Sequence, residues 1–214
     1  MSTVLFLSKA VQTYLSFFKT LSSETWQRLE AYATLLSEWN GKVNLISRKE
    51  TNFFENHILP ILPAAEDAEV RACFDNLKSV LDVGTGGGIP GIPLALLFPK
   101  VSFTLLDSIR KKTVAVADMT EKLALPNVRV VCERLENLSE CYDACVGRGV
   151  TAFEHFVSAT AKRLKSHGSV FYWSGGDVET LVPKTLRAHT RVIDLEAFFR
   201  GRYAVTKKLL WYRK

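Results

Sequence analysis

Five of the eight residues from 84 to 91 are glycine, and they follow a short apolar run, Val80-Leu81-Asp82-Val83. Glycines lose much backbone entropy on folding, but they let a chain turn tightly and approach a ligand closely. A turn with no ligand is the plain alternative, and it needs far fewer of them. Pro90 and Pro93 suit the first turn of a helix, where no amide hydrogen is required. The stretch therefore predicts a strand, a glycine loop and a helix in succession. In an open parallel sheet, ligands sit beyond the carboxyl ends of the strands, near the switch in strand order.

Further strand-like runs at 101–107, 128–131, 142–146 and 169–173 alternate with helical spacing over 109–124 and 151–165. That alternation argues for a mostly parallel sheet covered on both faces. Two late strands, near 190–198 and 203–213, flank Arg200-Gly201 and should form an antiparallel hairpin at the sheet edge. The expected class is α/β, Rossmann-like, with seven strands. The first part of the chain differs. Val4, Leu7, Val11, Tyr14, Leu15 and Phe18 recur at helical spacing. Ser22 and Ser23 offer a helix start, Trp26, Leu29, Leu36 and Trp39 continue as an apolar stripe, and Gly41 can end it. Residues 51–71 read as helix interrupted by Pro60 and Pro63. A helical N-terminal extension over 1–75 and a cofactor-binding domain over 76–214 follow.

Composition narrows the class. Hydrophobic residues at 47% and charged residues at 23% exclude disorder as the main state. A net charge of +6 permits an anionic partner without demanding one. The most apolar stretch, 92–98, is too short to span a bilayer. No membrane association and no secretory leader are expected, and the location is read as cytoplasmic. Cys73, Cys132, Cys141 and Cys145 lack zinc-site spacing, so no metal is expected and they read as buried, reduced thiols. Basic residues are dense after residue 160, from Lys162, Arg163 and Lys165 to Arg213 and Lys214. They suit phosphate contacts or, equally, a solvated basic edge.

Asp107 ends the second strand, where a carboxylate can accept hydrogen bonds from ribose hydroxyls. With the glycine loop it points to a nucleoside-containing cofactor. The spacing Gly84-x-Gly86-x-Gly88 begins at the strand end, and Pro90 crowds the helix start that a pyrophosphate would occupy. Both favour S-adenosylmethionine over NAD, and an NAD-dependent oxidoreductase stands as the alternative. Asp82 suits either the methionine amino group or the loop itself. Asn44 could reach the site, His57 reads as a helix-packing residue, and Trp173 is the aromatic expected to touch a base.

Five segments together resemble one family. They are 36–45 with His57-Ile58-Leu59, the glycine loop with its prolines, Leu105-Leu106-Asp107-Ser108 with Lys111 and Lys112, Arg134-Leu135-Glu136, and Tyr142-Asp143 leading to Arg148. Over residues 25–175 the chain is similar to the ribosomal small-subunit methyltransferase G family (glucose-inhibited division protein B). The resemblance implies a class I S-adenosylmethionine-dependent methyltransferase fold with a helical N-terminal extension. It implies methylation of a guanine at N7 in 16S ribosomal RNA, free or in the small-subunit particle; a monomer is expected. Methylation of another RNA, a protein or a small molecule is the alternative. By position, Gly84 and Ile89, with Gly86 and Gly88, would line the methionine side, and Asp107 would hold the ribose. Leu135 and Glu136 would flank the adenine. Arg148 would stand by the methyl group and target base, and is the candidate catalytic residue, contacting guanine O6 or a phosphate. The chain departs from the family's usual pattern at Gly147 and Gly149 (Ser and Ala), at Ser174 (Lys) and at Asn56 (often Arg).

Overall fold

The computed structural model describes residues 9–46, 51–199 and 207–214. The expected helix over 4–18 is present in its described part as α1 (Lys9–Tyr14) and a 3-10 turn (Leu15–Phe17). Residues 4–8 lie outside the described residues. α2 (Ser23–Lys42) starts where Ser22 Oγ accepts the Thr25 amide hydrogen at 3.1 Å, and it runs through Gly41. The next stretch is broken into a π turn (Phe54–Ile58), a 3-10 turn (Leu59–Ile61), α3 (Pro63–Glu66) and α4 (Ala68–Asn76). Pro60 and Pro63 bring no amide hydrogen to an i to i−4 ladder, so one regular helix cannot run through. Asp67 restarts it by accepting the Val70 amide hydrogen at 3.0 Å.

The sheet follows, as β1 (Ser79–Val83), α5 (Gly91–Leu97), β2 (Ser102–Asp107), α6 (Arg110–Lys122), β3 (Val128–Cys132), β4 (Tyr142–Arg148), α7 (Phe153–Thr160) and β5 (Leu164–Gly175). It ends with α8 (Val178–Leu181), α9 (Lys184–Arg187), β6 (Thr190–Asp194) and β7 (Lys207–Arg213). The strand order is 3-2-1-4-5-7-6. The first five strands are parallel, and β7 runs antiparallel to both its neighbours. The late pair is thus a hairpin by pairing, but β7 lies between β5 and β6, and β6 alone forms the edge. The expected turn at Arg200-Gly201 lies outside the described residues. The helix expected over 151–165 ends sooner, because β5 already begins at Leu164. α8 and α9, four residues each, are too short to leave a periodic signal.

Two layers of core cover the sheet. On one face Trp26, Leu29 and Leu36 from α2 pack with Phe103, Phe171 and Trp211 from the strands. On the other, Phe153 and Phe156 from α7 pack with Leu81, Cys145 and Tyr172. Full burial of a side chain such as Leu29, at 0% exposure, contributes about 1.5–3 kcal/mol. The helical extension therefore shares a core with the sheet. The reading of four buried thiols is corrected: only Cys145 is buried, Cys73 is half-buried, and Cys132 and Cys141 are exposed. Cys132 ends the outer strand β3 and Cys141 precedes β4, where little packs over them.

Candidate active site

The strand order reverses at β1 and β4, which opens a crevice at their carboxyl ends. The glycine loop lies there, and two carboxylates hold its shape. Asp82, fully buried in β1, accepts the Thr85 hydroxyl hydrogen at 2.6 Å and the Gly91 amide hydrogen at 3.0 Å through Oδ2. It therefore ties both ends of the loop and does not line the cleft. Burial pushes its carboxyl up to about 7; the bonds from Thr85 and Gly91 pull the other way, and the charge of Asp107 adds to the rise. Gly91 must be glycine for space: a Cβ there would stand 2.2 Å from Leu105 and 2.6 Å from Asp82 Oδ2. Gly86 must be glycine for conformation, with φ +58°. Tyr32 of α2 donates to the Gly87 carbonyl at 2.8 Å, so the helical extension also braces the loop. Burial, then the nearby Asp82 charge, raise the Tyr32 hydroxyl well above its ordinary value, and it stays a donor.

Asp107 is placed at the end of β2, 7% exposed. Its Oδ2 accepts the Gly86 amide hydrogen at 3.0 Å and its Oδ1 the Ile109 amide hydrogen at 2.9 Å. Each carboxylate oxygen has a second lone pair, so Asp107 can also accept from a diol. Two cavities meet at Gly84, Asp107 and Val150. One, of about 400 Å³, is bounded by Gly86, Ile89, Lys112 and Arg148, and by Leu45 and His57 of the extension. The other, of about 250 Å³, is bounded by Leu135, Glu136, Ser108 and Phe156. Together they match the 300–1,000 Å³ range typical of small-molecule sites. The glycine backbone, the acid at β2 and the apolar Leu135 wall fit a nucleoside with a short polar tail. Of the sequence candidates, Gly84, Gly86, Ile89, Asp107, Leu135, Glu136 and Arg148 line this joined cleft. Gly88 does not: a Cβ there would stand 2.5 Å from Ile92, so it packs inward on α5.

The structure differs elsewhere. Asn44 is exposed, and it is Leu45 and Ile46 that face the cavity. Asn40 directs them there, because its Oδ1 accepts both of their amide hydrogens at 3.0 and 2.9 Å. Trp173 is 1% exposed and donates Nε1–H to the Pro60 carbonyl at 3.1 Å, so it is closed to a base. His57, read as a packing residue, is half-buried and lines the larger cavity. Lys112, from the third of the resembling segments, and Val150, which carries no distinguishing signal in the sequence, also line it. Arg148 donates Nη1–H to the His57 carbonyl at 2.9 Å and Nη2–H to the Asn56 carbonyl at 2.8 Å.

The late basic residues divide between the two ends of the sheet. Arg213 is paired with Ser169 across β5 and β7, near the amino ends of the parallel strands, and lies over the Trp211 ring. Arg191 makes a two-pronged bond to Asp67 at 2.8 and 2.9 Å, and Lys165 pairs with Asp143 at 2.9 Å. Lys207 and Lys208 sit opposite Gly175 and Ser174, at the cleft end. Lys207 donates to the Asn56 carbonyl and Lys208 pairs with Asp194, both at 2.5 Å. Much of the cluster thus fastens the fold. Arg200 and Arg202 lie outside the described residues. At the cleft end α6 begins with Arg110, Lys111 and Lys112, and its first turn carries no acidic residue.

The chain is similar to known proteins in sequence and in fold. The family model for rRNA small subunit methyltransferase G matches residues 25–195. A Ribosomal RNA small subunit methyltransferase G of Cytophaga hutchinsonii is 36% identical over 201 residues, covering 91% of this chain and 95% of its own length. The fold is similar to that of a methyltransferase from Geobacter sulfurreducens, with TM-score 0.59 at 14% identity over 99% of each chain. It is also similar to a 16S rRNA methyltransferase of T. thermophilus in complex with AdoMet and guanosine, with TM-score 0.54 at 18% identity, over 72% of this chain and 43% of that one.

Proposed function

The chain belongs to the rRNA small subunit methyltransferase G family, and on that premise we propose that it methylates guanine N7 of 16S ribosomal RNA with S-adenosylmethionine held in the joined cleft. It is an S-adenosylmethionine-dependent methyltransferase of small-subunit rRNA. The observation that supports the finer reading is the meeting of two cavities at Gly84 and Asp107, one shaped for a nucleoside and the other open for an acceptor. When bound, the cofactor supplies an electrophilic methyl group. Asp107 would hold its ribose, Leu135 and Glu136 would flank its adenine, and Gly84, Gly86 and Ile89 would face its methionine part. Asp82 acts on the loop, through Thr85 and Gly91.

Guanine N7 has an in-plane lone pair and no hydrogen to lose, so no general base is needed. This chain's residues have to bind the base, align N7 and exclude water, and proximity and orientation supply much of the rate. Charge accumulates on the base as N7 is alkylated, which favours neutral groups against its ring. No described helix is long and apolar enough to cross a membrane, and a ribosomal substrate suits a cytoplasmic location. Incubation with labelled cofactor, small-subunit particles and bulk protein should put label in RNA. Label in protein alone would overturn the reading, as would tight NADH binding without S-adenosylhomocysteine binding in calorimetry.

A further inference from the structure

Pro60 leaves the Asn56 carbonyl without its i+4 donor, because proline has no amide hydrogen. Three strands supply donors at this break. Arg148 at the end of β4 reaches the Asn56 and His57 carbonyls at 2.8 and 2.9 Å. Lys207 of β7 reaches the Asn56 carbonyl at 2.5 Å, and Trp173 of β5 reaches the Pro60 carbonyl at 3.1 Å. These bonds dock the π turn on the carboxyl ends of the sheet, and π turns are frequent at functional sites. One residue of that turn, His57, lines the larger cavity. Among the described residues that line that cavity, His57 alone carries an aromatic ring. An enzyme acting on a base takes it out of the stack and holds it between flat or apolar side chains. Leu45 and Ile46 give this cavity apolar surface, and His57 gives it a ring.

We propose that His57 is the stacking partner of the acceptor base, and that Arg148 is a positioning residue that acts through the main chain of His57. The inference rests on the function proposed above. Two of the five N–H donors of Arg148 go to these carbonyls. Its charge is thereby directed at backbone dipoles, which spares the alkylated base a cation against its ring. Lys207 donates to the Asn56 carbonyl as well.

The test is steady-state methylation of small-subunit particles by the full chain, with calorimetry of S-adenosylhomocysteine alongside. His57→Ala should lower kcat/KM for the particle about tenfold or more, while cofactor affinity stays within about twofold. His57→Phe keeps the ring and should recover most of the loss. Arg148→Ala should lower kcat/KM similarly, but combined with His57→Ala it should cost little more, because one acts through the other. Arg148→Lys, which keeps one donor, serves if the alanine variant unfolds, and it should lose less than tenfold. Wild-type kcat/KM in His57→Ala, or His57→Phe no better than His57→Ala, would overturn the stacking role. A further tenfold loss in the double variant would overturn the positioning role. If the wild-type chain put no label in RNA, the function itself would fail, and the inference with it.

Discussion

Asp82 carries two hydrogen bonds on one carboxylate oxygen and none on the other: among the described residues, Oδ1 is buried without a partner. Burial raises its carboxyl from 3.8 to about 7, against the bonds from Thr85 and Gly91. Between those values the folded chain holds a proton that the unfolded chain has lost. The stabilisation is therefore complete below the unfolded value and is lost as pH rises through about 7. Each unit of such a shift corresponds to about 1.4 kcal/mol, so the whole effect is on the order of a few kcal/mol. Asp82→Asn is neutral at every pH and nearly the same shape. Its thermal midpoint, followed from pH 4 to 8, should fall less with rising pH than that of the wild type. Parallel profiles would show that Asp82 is ionised when buried. The glycines and Asp107 were legible in the sequence because a tight loop beside a strand end needs those residue types locally. The role of Asp82 was not, because a carboxylate at a strand end looks the same whether it faces a ligand or its own loop.

The elements most exposed to misreading were those shaped by distant partners. The strands and α6 follow from periodicity, but the break at Pro60 becomes a cavity wall only through Arg148, Lys207 and Trp173, which lie 88 or more positions away from it. His57 lines the cavity for that reason, since its local sequence is helical and its exposure is decided by the sheet. Trp173 differs in the opposite sense, because a tryptophan at a strand end is closed off only once the extension docks over it. Arg191 shows the same dependence. On β6 it reads as part of a basic edge, yet it grips Asp67, the cap of α4, through both guanidinium prongs. Burial alone would raise the Asp67 carboxyl, but the Arg191 and Val70 bonds hold it below its ordinary value. Arg191 is partly exposed, which limits the gain, and its hydrogen bonds contribute about 1–2 kcal/mol. Arg191→Ala should lower the thermal midpoint by several degrees and leave S-adenosylhomocysteine affinity unchanged in calorimetry. A changed affinity with an unchanged midpoint would mean that β6 serves the cleft rather than the dock.

At the scale of the molecule, the net charge of +6 matters through its placement. The cleft opens at the carboxyl ends of the parallel strands, and the exposed start of α6 lies on that side. Lys162, also exposed, lies two residues before the amino end of β5. Phosphate contacts add an affinity whose logarithm falls with log salt by roughly 0.7–0.9 per contact. Lys111→Glu should therefore weaken particle binding and reduce that slope by about one or more, while Lys162→Glu should leave both near the wild type in a salt titration. Equal losses from the two charge reversals would place RNA contacts at both ends of the sheet. The chemistry at the cleft is tested most directly by digesting small-subunit RNA to nucleosides after reaction with labelled S-adenosylmethionine. Label in 7-methylguanosine is the expected result. Label in any other nucleoside, or RNA without label, would contradict guanine N7 methylation.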